Sequence, residues 1–78
     1  MAQKNMYRER ELAALAKTFR SKAGITKEQA AKELGVGRPS VQLAEGTPEQ
    51  SLTKLRIRII EKYSEYRVVG PVFLLEKK

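Results

Sequence analysis

The chain has 78 residues, sixteen of them Lys or Arg against nine acidic, for a formal net charge of +7, and all nine acids are Glu. Asp, His, Cys and Trp are absent, which removes the imidazole proton shuttle, the thiolate nucleophile and the usual zinc ligands; an enzyme would have to work with Glu, Tyr, Lys and Ser alone. The charge surplus points to a polyanion, nucleic acid ahead of an anionic membrane or an acidic protein. The length allows one domain whose small core, lacking disulfides, must rely on compact helix packing or a partner subunit. No catalytic, metal or cofactor site is expected.

The first ten residues are polar and charged, with no apolar stretch behind them of the kind a secretion signal requires. The longest apolar run, 68–75, is far short of a membrane span. These features suggest a cytoplasmic protein, bacterial or phage-like in style, with a flexible arm at residues 1–6 and one domain over 7–65. From Tyr7 onward, Leu12, Leu15, Ala16, Phe19 and Ala23 fall at the three-and-four spacing of one helix face, and Gly24 is placed to end that helix in a left-handed turn. Thr26 offers a hydroxyl N-cap with Gln29 at the capping-box position, and Ala30, Ala31 and Leu34 form the next apolar face before Gly35. Val36 and Gly37 make a turn, Pro39 suits a first helical turn, and Val41 and Ala44 mark the inner face of a third short helix ending near Gly46. Thr47-Pro48-Glu49-Gln50 repeats the start signal, and Leu52, Leu55, Ile59, Ile60 and Tyr63 form the stripe of a fourth helix. The final segment, 66–78, is rich in β-branched and aromatic residues up to Leu75 and reads as extended, with Gly70-Pro71 forcing a bulge or an edge position.

Two short helices joined by a glycine turn suit a helix-turn-helix. Ala31, Gly35 and Val41 stand four and six residues apart: a small residue where the helices cross, a glycine for the positive φ of the turn, and an anchor for the third helix. The run Gly24-Ile25-Thr26-Lys27-Glu28-Gln29-Ala30-Ala31-Lys32-Glu33-Leu34-Gly35-Val36-Gly37-Arg38-Pro39-Ser40-Val41 resembles the helix-turn-helix of the phage repressor, Cro and XRE family of DNA-binding domains. The wider match, Phe19 to Gly46, covers about a third of the chain. The resemblance implies a mainly α, four-helix Cro/repressor-like domain with a C-terminal β segment.

It further implies that the third helix enters the major groove with Arg38, Pro39, Gln42 and Leu43 outward, while Thr26, Lys27, Gly37 and Ser40 approach phosphates. Arg38 is the first candidate for base reading, because a guanidinium can grip guanine O6 and N7 together. Gln42 either reads adenine or faces the backbone; Leu43 either touches a thymine methyl or packs on a neighbouring copy. The family usually has Gln where this chain has Lys27, so a base-positioning amide becomes a plain phosphate contact. Arg20 and Glu45 match a buried ion pair that ties the first helix to the end of the third. Residues 1–39 hold nine basic and four acidic side chains and residues 40–78 seven and five, an excess of +5 against +2 that favours a DNA-facing N-terminal half. Lys54, Arg56, Arg58 and Lys62 read as a solvated cationic face, and Tyr63, Tyr66 and Phe73 as core or interface.

The apolar tail invites a second chain. Two arrangements are open to Tyr66, Val68, Val69, Val72, Phe73, Leu74 and Leu75: a hairpin folded back on the chain's own helices, or, the preferred one, pairing with the same segment of a partner in an antiparallel seam, making a homodimer on a palindromic operator. The function so implied is a sequence-specific double-stranded DNA-binding regulator, most simply a repressor. The alternative is an antitoxin-type module that grips a protein partner with the same tail.

Overall fold

A computed structural model describes residues 7–69 and 73–78. Four helices, α1 (Glu11–Lys22), α2 (Lys27–Leu34), α3 (Arg38–Gly46) and α4 (Thr53–Tyr63), precede two short strands, β1 (Tyr66–Val69) and β2 (Leu74–Lys77). The expected mainly helical chain with a C-terminal β segment is what forms, and none of the described helices is long and apolar enough to cross a membrane. The arm at 1–6, the bulge expected at Gly70-Pro71 and Val72 lie outside the described residues.

Glycine stops define the first three elements. Gly24 and Gly35 take φ of 74° and 70°, the left-handed region that costs a residue with a Cβ roughly 1–2 kcal/mol. Thr26 Oγ1 accepts the Gln29 N–H at 3.1 Å and so caps α2. Only this half of the capping box is made, because the Gln29 amide donates to Glu33 one turn on, at 2.7 Å.

The fourth helix begins later than its start signal suggests. Thr47 is the residue that closes α3, not the cap of α4. Its carbonyl accepts the Gln50 N–H at 3.0 Å and the Arg56 guanidinium at 2.7 Å, which holds 47–50 as a turn. The helix then starts at Thr53 behind Leu52, without a side-chain cap.

The core gathers Leu12, Ala16, Ala30, Ala31, Leu34, Val41, Ala44, Ile59, Ile60 and Leu75. Four of these ten are alanine, so α1, α2 and α3 approach closely and the larger side chains of α4 and Leu12 fill the space between them. Arg56 lies in this interior and not on a solvated face. It is wholly buried, and its Nε donates to the Ala44 carbonyl at 2.8 Å and its Nη2 to that of Thr47. A cation placed on the last carbonyls of α3 meets the negative end of the helix dipole and satisfies acceptors the helix leaves open. Arg58 does the same for α2, with its Nη2 2.6 Å from the Leu34 carbonyl.

The tail folds back on its own chain. Tyr66, Arg67, Val68 and Val69 pair antiparallel with Lys77, Glu76, Leu75 and Leu74. Leu75 is buried in the core, Tyr66, Val68 and Phe73 pack against it, and the Tyr66 ring tilts against Phe19 at 5.9 Å. Of the two arrangements open to the tail, the intrachain hairpin is the one the chain forms. At the other edge of β1 the Val68 N–H donates to the Glu61 carboxylate at 3.0 Å and the Tyr66 N–H to Ser64 Oγ at 3.1 Å. These two outward donors of β1 are thus taken up by the end of α4.

α2 and α4 are also joined by the Tyr63 hydroxyl, which donates to Glu33 Oε1 at 2.5 Å. Burial, together with the bond to Glu33, pushes the Tyr63 pKa up to about 12. The unfolded chain therefore loses this proton first as pH rises, so the stabilisation is whole below about pH 10 and is lost as pH approaches 12. Urea denaturation is expected to show the stability gap between wild type and Tyr63→Phe narrowing over that window and constant below it. For Arg56→Ala, the Ala44 carbonyl loses its guanidinium donor, the Thr47 carbonyl keeps only the Gln50 N–H and the buried stem leaves a void, with an expected loss of about 3 kcal/mol in the same assay. Arg56→Lys should retain part of this, since an ammonium reaches fewer carbonyls at once.

Candidate nucleic-acid interface

α3 is divided lengthwise by burial. Val41, Ala44 and Glu45 face inward, while Arg38, Pro39, Gln42 and Leu43 are exposed and together line one shallow depression. The spacing explains the grouping, because positions 38/42 and 39/43 are i, i+4 neighbours on the helix surface. Pro39 occupies the first turn, where its missing N–H breaks no intrahelical bond. Leu43 retains 40% of its surface and is the only large hydrophobic side chain so exposed among the described residues.

The orientation of this face is set at the far end of the helix. Arg20 Nε and Nη2 meet Glu45 Oε2 and Oε1 at 2.6 and 2.9 Å, and Arg20 Nη1 donates to the Ile25 carbonyl at 2.6 Å. Both side chains are nearly buried. The Glu45 hydrogen bond, the largest influence on it, raises the Arg20 pKa, so the guanidinium stays charged. This one pair joins α1, the loop before α2 and the end of α3. It also turns the only acid of α3 inward, leaving the outward face with a cation and no carboxylate.

The expected phosphate-side residues stand at the starts of α2 and α3. Thr26 caps α2 with its own hydroxyl oxygen, and Lys27 is the first residue of that helix. Gly37 caps α3 in an extended conformation, with φ −78° and ψ 152°. A Cβ built there would meet Pro39 Cδ at 3.5 Å, an ordinary contact, so neither backbone conformation nor local packing requires glycine at 37. Ser40 is half-buried and opens to a different groove, lined also by Val36, Ser51, Thr53, Lys54 and Arg58. Lys54, in the first turn of α4, and Arg58, one turn further on, thus line the same groove as Ser40. Sequence reasoning missed this grouping because the start of α4 was placed at Thr47; a start at Thr53 puts Lys54 in the first turn.

Among the described residues no cluster of acidic side chains could hold a metal ion. Searches against protein-family models, curated proteins and solved structures find no match to this chain.

Breaking the Arg20–Glu45 pair strands one buried charge, so Arg20→Ala is expected to cost about 3 kcal/mol in urea denaturation. Replacing both partners together, Arg20→Met with Glu45→Leu, should recover most of that loss. Equal stability of Arg20→Ala and wild type would show that the pair does not hold α3.

Proposed function

We propose that this chain is a sequence-specific double-stranded DNA-binding regulator, most simply a repressor, that lays α3 in the major groove. The observation that carries the reading is the outward face of α3. Arg38, Pro39, Gln42 and Leu43 form one surface on a short helix whose opposite side is anchored in the core. The α2–turn–α3 geometry, with a left-handed Gly35 and a capped α2, supports it, as does the resemblance of residues 24–41 to the phage repressor, Cro and XRE family. The net charge of +7 supplies the attraction to phosphate, and affinity should fall steeply with salt as counterions are released.

In this reading Arg38 selects guanine, Lys27 and the Gly37 backbone approach phosphates, and Ser40 with Lys54 offers a second phosphate contact from the start of α4. Two copies would occupy half-sites about one helical turn apart on a palindromic operator. Blocking polymerase by occupancy would need no cofactor.

Selection of bound sequences from a random duplex pool tests the function, since an enriched half-site and its spacing report specificity and symmetry together. No enrichment over random DNA would refute it. On the selected site, Arg38→Ala should reduce discrimination against random DNA by about fivefold to a hundredfold, matching the roughly 1–3 kcal/mol of a bidentate guanine contact. Lys27→Ala should weaken selected and random DNA alike and lower the salt slope by about one.

A further inference from the structure

We infer that Leu43, with Pro39 one turn before it, is a reader of the pyrimidine 5-methyl group, so that the half-site contains a thymine beside the guanine held by Arg38. The inference rests on the DNA-binding reading above and specifies which base edge the apolar part of α3 recognises. Leu43 keeps 40% of its surface in water, although positions 41 and 44 of the same helix are fully buried. The fold therefore does not use Leu43 for its core. Its neighbours in the depression are Arg38, Pro39 and Gln42: a cation, a ring with no hydrogen-bonding group, and an amide.

In the major groove each base pair is distinguished by donors and acceptors except at one point, the C5 methyl of thymine, which only an apolar surface can recognise favourably. Leu43 and Pro39 provide such a surface and, lacking polar side-chain atoms, cannot read adenine or cytosine. A second protein is the weaker occupant. One leucine and one proline fall far short of the roughly 800 Å² per partner that a stable protein interface buries. The adjoining Arg38 and the chain's charge of +7 favour an anionic duplex.

The test compares thymine with deoxyuridine, which pairs identically and lacks only the methyl. After selection from a random pool, each thymine of the enriched half-site is replaced singly by deoxyuridine and binding is measured by titration. One replacement should weaken wild type about fourfold, the value for a single buried methyl group. Cytosine at that position should bind more weakly than 5-methylcytosine by a similar factor. Leu43→Ala should bind the thymine and deoxyuridine duplexes equally while keeping the wild-type melting temperature within a few degrees, as expected for an exposed side chain. A site that is enriched but indifferent to every thymine-to-deoxyuridine change overturns the inference and leaves the DNA-binding function standing, as does a methyl effect that persists in Leu43→Ala. Failure to enrich any sequence overturns both.

Discussion

The C-terminal end of α3 is where the structure is held together. A helix of nine residues leaves its last carbonyls without intrahelical donors, and here two arginines from different helices meet that end. Arg56 of α4 donates to the carbonyls of Ala44 and Thr47, and Arg20 of α1 grips Glu45 with two nitrogens. The core alone is poorly suited to fix the rotation of α3, since Val41 and Ala44 present little shape for a neighbour to lock onto. Directional bonds from two sides supply what the small side chains cannot. Once that end is fixed, the direction in which Arg38 and Leu43 point follows from helical periodicity.

This anchoring also redistributes the charge. Arg20, Arg56 and Arg58 each donate to a main-chain carbonyl within the fold, and Arg20 is neutralised by Glu45. The excess assigned to the N-terminal half therefore includes a cation unavailable to a ligand. Arg38 stands on the exposed face of α3 beside Leu43, and Lys54 lines the groove that Ser40 opens to, so folding brings cations of α3 and α4 to the two sides of one short helix.

The hairpin answers part of the shortage of core from within the chain. Leu75 closes the base of the helical layer, and Tyr66 packs on Phe19. Glu61 and Ser64, at the end of α4, accept the outward N–H groups of β1. The same helix that supplies Arg56 thus also protects the strand edge, so α4 serves the fold at both of its ends.

Much of this was legible along the chain. Gly24 and Gly35 mark helix ends because only glycine takes their left-handed φ cheaply, Thr26 marks a start because its hydroxyl reaches the N–H three residues on, and the apolar spacing separates the two faces of α3. These are local properties, set by a few neighbouring residues. The start of α4 was misplaced because Thr47-Pro48-Glu49-Gln50 carries the same local signal as a true cap, while the Thr47 carbonyl is held by an arginine nine residues later. Arg56 has the sequence signature of a surface charge because nothing adjacent in sequence reveals a buried carbonyl on another helix. The tail's apolar character was plain, but not its partner, since hydrophobic residues record a need for burial without recording against what. Sequence by itself determined which segments become helices and which residues face outward on α3. Tertiary structure decided which charges are consumed, where α4 begins and what the hairpin packs against, because those outcomes depend on groups distant in sequence that meet only when the chain is folded.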